Sequence, residues 1–552
     1  MKYKNINHIC RDPYLSGRLN PPRIEKIRYR RKSMKIGNKC MLTGMLVLLA
    51  VLAMAAPAAA WPEGYNYDGH PLLTNESGTL KGFVYMDKGN HSGLASSPYT
   101  VGYSSIPTGT VKWAHLYTGI WGGTEDYTGW ANITVTNSSG TYNLGSERLN
   151  KSDMNATTCC SGNGKWLVCK DVTDYLDAST FAARVTTSGS IDGRVYSVVL
   201  AAAIESASGN KTAYWVNVGN VNLHYDATGD GELNNHLTWL NGTAYSSSEA
   251  KVYAMQYVGS AGQPDFLYFN APSAADSPRT LSQPAWNISK YTKYQLGDDD
   301  VADCSQGGYF DLDVFTASND STALKNIVNL VGNNHLVFWR GHDYNNDGYI
   351  EGRWQGSNYE GEAYVSPMVA TLVLKDITRL YDFASTTPGT AGTNLYAYEG
   401  AVGARPPNSS TVPMDSVTYS KIEVDDENSE TYRTDTDGTY AAQRFVFEID
   451  ESAGNIDGLT ANWNGKGYHD GGLSYDGAYL YIWNGTAYVL LESTISGNEE
   501  NLTGSVTSSI GNYIVNGEVT VLVVQKSPAD EGNETASTLE TDYVKLVIDP
   551  KV

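Results

Sequence analysis

Beyond residue 60 the chain never sustains the 3.6-residue apolar period of a long amphipathic helix. Short runs of β-branched and aromatic residues alternate instead with Gly and Asn turns. That is strand-and-turn chemistry, since branched and aromatic side chains suit a pleated surface while Gly and Asn supply the bends. The balance of residues agrees: Tyr outnumbers Phe 39 to 10, and 55 residues are Gly. Val195–Ile204 (VYSVVLAAAI) is apolar throughout, as expected of a strand buried on both faces. Tyr309–Phe315 (YFDLDVF) alternates, which predicts one wet face. The expected fold class is all-β.

Strands are expected at Val111–Ile120, Trp130–Val135, Phe181–Thr186, Val195–Ile204, Ala213–Leu223, Ala250–Val258, Phe266–Phe269, Tyr309–Phe315, His335–Trp339 and Val369–Leu374. A faint repeat accompanies them. Asp171–Tyr175 (DVTDY) and Asn287–Tyr291 (NISKY) each precede a strand and, further on, an apolar run. This makes residues 61–383 a large β domain of two tandem, jelly-roll-like sandwich lobes, 61–223 and 224–383. Residues 384–415, rich in Pro, Gly, Ser and Thr, read as a linker. A separate β-sandwich is expected over 416–552, with strands at Val417–Val424, Gln443–Ile449, Leu459–Trp463, Ala478–Trp483, Tyr488–Leu491, Val519–Gln525 and Tyr543–Ile548. Asn464-Gly465, Asp476-Gly477 and Asn484-Gly485 are the expected turns.

Residues 34–60 have the three-part layout of a secretory signal: Lys35 and Lys39, then apolar Met41–Ala56, then Ala58–Ala60 as a cleavage site. The protein is expected to be exported and to touch a membrane only if that segment stays uncleaved. Residues 1–33, basic and aperiodic, are expected to be a mis-called extension ahead of a true start at Met34. The remaining chain holds 27 Lys and Arg against 58 Asp and Glu, a net charge of about −31. Such acidity excludes nucleic acid as a partner and favours cations.

Fourteen Asn-x-Ser/Thr sequons follow the signal, at Asn75, Asn90, Asn132, Asn137, Asn150, Asn155, Asn210, Asn241, Asn287, Asn319, Asn408, Asn484, Asn501 and Asn533. Behind an export signal they point to a glycosylated surface protein. Cys159, Cys160, Cys169 and Cys304 are disulfide candidates in that compartment. Neighbouring cysteines seldom bond to each other, so one of Cys159 and Cys160 would join Cys169 and the other Cys304. No His stands at ligand spacing from the vicinal pair, which argues against zinc.

Calcium is the expected cofactor, in a structural role. In Asp343–Glu351 (DYNNDGYIE), Asp343, Asn345 and Asp347 place oxygens at alternate positions, and Gly348 permits the tight bend. Tyr349 offers its carbonyl, and Glu351, Glu360 or Glu362 would complete the shell, because Trp354 occupies the usual glutamate position. Asp226, Thr228 and Asp230 form a weaker echo. Asp298–Asp300, with Asp303, reads as a solvated charge run. No nucleophile elbow, zinc helix or phosphate-binding glycine loop is present, so no catalytic residues are assigned. Trp121, Trp130, Trp215, Trp354 and Trp483 are candidate sugar-stacking platforms, although such residues more often serve a core.

Val111–Thr124 (VKWAHLYTGIWGGT), Asp171–Leu176 and Ala213–Gly219 (AYWVNVG) resemble a family of uncharacterised surface proteins of methanogenic archaea, over roughly residues 80–380. The stretch Trp483–Tyr488 (WNGTAY) resembles a β module of archaeal envelope proteins. The resemblance implies an S-layer or tubular sheath role and brings no catalytic residues. The expected function is therefore a structural envelope glycoprotein that assembles with other copies of itself and other envelope components. A secreted glycan-binding protein or adhesin is the alternative, and a polysaccharide-active enzyme ranks third.

Overall fold

The structure, a computed structural model, describes residues 69–552 apart from 124–126, 151–157, 162–163, 225–233, 243–244, 260, 272–291, 299, 307–308, 331, 342–353, 356–357, 360, 363 and 385–394. Side chains of 158–161, 354–355 and 358–359 also lie outside this description, as do the expected extension and export signal. The described residues form strands, turns and short 3-10 segments. No helix among them is long and apolar enough to cross a membrane.

Every strand expected between Val111 and Leu374 is present. Most join one antiparallel sheet, in the order Phe310–Phe315, Glu249–Tyr257, Tyr364–Lys375, Asn210–Val221, Gly69–Asp87, Arg194–Glu205, Thr110–Trp121, Lys165–Asp171, Thr158–Ser161. The 19-residue strand Gly69–Asp87 is its hinge. Up to Gly82 it pairs with Asn210–Val221, and from Gly82 onward with Arg194–Glu205. A methyl group on Gly82 would overlap the Ile204 carbonyl oxygen, so the crossover requires glycine.

The sheet folds over on this hinge. Tyr257 and Tyr196 sit on strands four places apart, about 20 Å in a flat sheet. Their rings nevertheless stack with centroids 5.0 Å apart, and the Tyr257 and Ser197 hydroxyls lie within 2.6 Å. Trp113 Nε1 likewise donates to the Tyr214 hydroxyl across the fold (3.0 Å). The inner faces bury Tyr117, Leu167, Val199, Ala201 and Ala203 against Val216, Val218, Met255 and Val369.

Each half carries a second sheet on its other face. Tyr99–Tyr103, Phe181–Gly189, Gly129–Asn137 and Gly140–Leu149 cover one half, burying Val198, Leu200, Ala202 and Ile204 against Ile133, Val135 and Val185. Asn235–Leu240, Asn334–Trp339, Phe266–Phe269 and Gln295–Leu296 cover the other, against Trp215, Val252 and Leu372. Alternate residues of Arg194–Glu205 thus enter two different cores, which accounts for its unbroken apolar run.

A further sandwich follows, with a six-stranded and a five-stranded sheet closing on a core that includes Phe445, Leu459, Trp463, Val521 and Leu546. Its sheets begin earlier than the sequence suggested. Leu395–Val402, inside the expected linker, pairs with Tyr440–Glu448, and Arg379–Asp382 pairs with Ser537–Pro550. Burial alternates along Leu395–Val402, but loop-like flanks conceal the pattern. Val417–Val424 contains a 3-10 turn at Tyr419–Lys421 in place of a strand. Asn464-Gly465 lies within the strand Ile456–His469 and is no turn. Val519–Gln525 is a buried central strand flanked by Tyr440–Glu448 and Ala478–Trp483. Lys211 Nζ joins the large sheet to this sandwich, donating to Asp457 Oδ2 and Asp549 Oδ1, both at 2.7 Å.

Candidate functional site

Three carboxylates converge at one end of the second sandwich. Asp265 immediately precedes the buried strand Phe266–Phe269 and forms a parallel bridge with Asp300. Both Asp265 carboxylate oxygens accept the Ala302 N–H at 3.1 Å. Glu362 follows the Gly341–Gly361 bridge, and its N–H donates to the Arg340 carbonyl (2.7 Å). One oxygen each from Asp265, Asp300 and Glu362 lies within 4.8 Å of the others, and Asp265 and Glu362 are buried.

Two more carboxylates adjoin them. The alternation of Tyr309–Phe315 predicted a wet face, but Asp311 is buried. Its Oδ2 accepts the Cys304 N–H (2.6 Å), and Gln306 Nε2 donates to Asp313 Oδ1 (3.0 Å). Burial holds Asp265 well above the ordinary carboxylate range, against the pull of the Ala302 N–H. Burial pushes Asp311 up to about 6, while two amide N–H groups hold it down. Asp313 reaches about 7, through burial and then repulsion from Asp311 and Asp303. Acids so placed either hold protons or share a cation. The donors are all oxygen, which fits a hard divalent ion such as calcium. This cluster and a second in the C-terminal sandwich are the two carboxylate groupings among the described residues able to coordinate such an ion.

The sequence-predicted calcium residues Asp343, Asn345, Asp347, Tyr349, Glu351, Asp226, Thr228 and Asp230 lie outside the described residues. The bases of their two loops are described, and one buried side chain joins them. Arg340 donates to the Glu362 carbonyl (2.6 Å) and to Asn234 Oδ1 (2.7 Å). Glu362, a candidate to complete the 343–351 shell, stands beside Asp265 and Asp300. Asp300 therefore faces partners from two other segments, although its neighbours suggested a solvated run. Asp265 belongs to no motif; its one sequence signal is an acid directly before the apolar tetrad FLYF.

The disulfide scheme is corrected. Cys169 and Cys304 both carry free thiols. Cys169 lies opposite Tyr117, where burial pushes its pKa to about 12. Cys304 Sγ instead turns to the Gly259 carbonyl (2.7 Å). The side chains of Cys159 and Cys160 are outside the described residues. Among the sequons, Asn75, Asn90, Asn241, Asn319, Asn408, Asn501 and Asn533 are exposed, and Asn132, Asn137, Asn150, Asn210 and Asn484 are half-buried. Asn155 and Asn287 are not described.

Of the aromatic platforms, Trp215 and Trp483 are buried, and the Trp354 side chain is not described. Trp130 and Trp121 stand at a surface that gathers around the turn 189–194. Trp130 (43 % exposed) packs over Gly189, and Tyr127 (45 %) lies beside Gly123 next to Asp192. Trp121 pairs across strands with Arg194, whose Nε and Nη2 grip the two Asp192 oxygens at 2.6 and 3.1 Å. Tyr309 (49 % exposed) arrives from the other half of the folded sheet and stands in the neighbourhood of Arg194. Sequence supplied the two tryptophans; Tyr127, Tyr309 and the Asp192–Arg194 pair carried no signal.

Residues 64–375 match a family described as "Protein of unknown function (DUF3344)", and residues 392–550 match one described as "Uncharacterized protein, C-terminal domain". A protein of Archaeoglobus fulgidus, described as uncharacterized, is 32% identical over 125 residues, 22% of this chain and 20% of its own length. The match thus spans about a fifth of that archaeal relative. Among solved structures, a peptide-N(4)-(N-acetyl-beta-D-glucosaminyl) asparagine amidase is 12% identical, covering 54% of this chain and 96% of its own, at a TM-score of 0.17. A triple jelly-roll protein of an archaeal virus turret is 7% identical over 86% of this chain and 89% of its own, also at 0.17. Superpositions this loose carry no functional meaning.

Proposed function

From the premise that the chain belongs to the DUF3344 family, we propose that this member is an exported β-sandwich glycoprotein whose task is to bind glycan, with calcium holding its second sandwich rigid. The aromatic surface around 189–194 is the observation that carries this reading. Trp121, Tyr127, Trp130 and Tyr309 offer ring faces on which the C–H side of a sugar can stack. The planar Asp192–Arg194 pair beside them offers acceptors and donors to hydroxyl groups. Trp121 and Trp130 are held on strands, which keeps their geometry without a ligand.

The test is a titration of the full chain with neutral, N-acetylated and uronic-acid oligosaccharides, read by tryptophan fluorescence. A saturable change is expected with one class, weakened at least about fivefold in Trp130→Ala and Tyr309→Ala, because each stacked ring contributes about 1 kcal/mol or more. No saturable change with any class, or equal affinity in both variants, would refute it.

A second reading, assembly into an envelope lattice, draws support from the C-terminal sandwich. Leu473 is 85% and Ile495 76% exposed there, on adjoining turns. Large apolar side chains so exposed suit burial against a partner. Ordered sheets or tubes in negative stain at rising calcium, lost in Leu473→Ser/Ile495→Ser, would favour assembly. Monomers under every condition would remove it.

A further inference from the structure

We propose that the C-terminal sandwich holds a calcium site of its own, built from the carboxylates of Asp425, Glu499 and Asp542 with the side-chain oxygen of Asn464. A break in register creates the site. Asn464 faces Tyr543 and Gly465 faces Thr541, so Asp542 is an extra residue bulged from the strand Ser537–Pro550. On its other side Asn464 faces Asn501, which brings Glu499 alongside at the start of Glu500–Val506. The loop before Glu430–Thr434 contributes Asp425, whose Oδ1 accepts from Asn464 Nδ2 at 3.0 Å.

One oxygen from each of Asp425, Glu499 and Asp542 lies within 4.8 Å of the others. Calcium bonds at 2.3–2.6 Å, so oxygens on opposite sides of its shell stand about 5 Å apart, and all three fit around one ion. The second observation is independent of that spacing. Asp542 and Asn464 are both more than nine-tenths buried, and Asp542 Oδ1 and Asn464 Oδ1 accept no hydrogen bond. Asp542 Oδ2, by contrast, accepts the Glu427 N–H (3.1 Å). Buried oxygens are ordinarily paired. Two orphaned ones where three carboxylates meet call for a cation. An all-oxygen donor set of irregular shape suits calcium better than zinc, which prefers nitrogen and sulfur, or magnesium, which demands a regular octahedron. Bound there, the ion would tie the 425–428 loop to the bulge and to the head of the neighbouring strand.

Hydrogen–deuterium exchange of the full chain, read by mass spectrometry in calcium, magnesium and chelator, tests this locally. Amides 425–428 and 499–501 should exchange at least tenfold more slowly in calcium than in chelator. Asp425→Asn and Glu499→Gln, both at exposed positions that leave the core intact, should abolish that slowing while peptides around 265 and 300–302 keep their own response. Wild-type amides 425–428 that ignore calcium would overturn the site and leave a proton shared between Asp425 and Asp542 as its explanation. Slowing that persists unchanged in both variants would overturn it too.

Discussion

Lys165→Met should erase a rise in stability that the wild-type protein shows between about pH 7 and 9.5. Lys165 starts the strand Lys165–Asp171 and is 1% exposed, at the seam where the folded sheet closes. Its Nζ donates to Asn222 Oδ1 (2.6 Å) and to the Ser366 hydroxyl. Burial lowers its pKa to about 7. An unfolded lysine stays protonated to about 10.4. Between those values the unfolded chain binds one proton more than the folded chain, so stability rises with pH, by up to about 1.4 kcal/mol per pH unit. From pH 7 to 9.5 that amounts to about 3 kcal/mol; below pH 7 both states are charged and the slope vanishes. Methionine fills similar space but strands two acceptors, a loss of about 1–3 kcal/mol each that does not depend on pH. Urea unfolding at pH 6.5, 8 and 9.5, followed by tryptophan fluorescence, separates slope from offset. Buried tyrosines and thiols titrate alike in both proteins, so the difference isolates Lys165. Parallel pH profiles for wild type and variant would refute the reasoning.

Gly82→Ala should destabilise by about 2–3 kcal/mol, because its methyl meets the Ile204 backbone where the strand Gly69–Asp87 changes partner; a change in unfolding midpoint worth under about 0.5 kcal/mol would contradict the hinge. Arg340→Met should cost about 3–5 kcal/mol in chemical denaturation, since it strands the Glu362 carbonyl and Asn234 Oδ1 inside the second sandwich. A near-neutral result would show that Arg340 does not join the two loop bases. Cys169 and Cys304 should take up iodoacetamide without reductant once the chain is denatured, and only slowly when native. Failure of either to react after denaturation would restore a disulfide.

The strands were legible because each displays its period locally. Phe266–Phe269 and Ala478–Trp483 have the bounds that residue type alone suggests. Leu395–Val402 was missed because proline- and glycine-rich flanks outweigh its eight residues, and Asn464-Gly465 misled because an Asn-Gly pair suits a bulged strand as well as a turn. The candidate cation site was half visible. Glu362 stood out as an acid near a calcium-like pattern, but Asp300 read as part of a solvated run, and nothing local linked either to Asp265 or warned that Asp311 would be buried.

Sequence by itself determined the all-β class, most strand positions and the double-faced burial of Val195–Ile204, since side-chain period and turn chemistry act within a few residues. Tertiary structure alone decided that one sheet folds back at Gly82, that Tyr309 meets the Trp121–Arg194 surface and that five acids share one end of a sandwich. Those outcomes rest on contacts between segments far apart in the chain, where hydrophobic burial chooses the partners and the polar groups take the positions that burial leaves them.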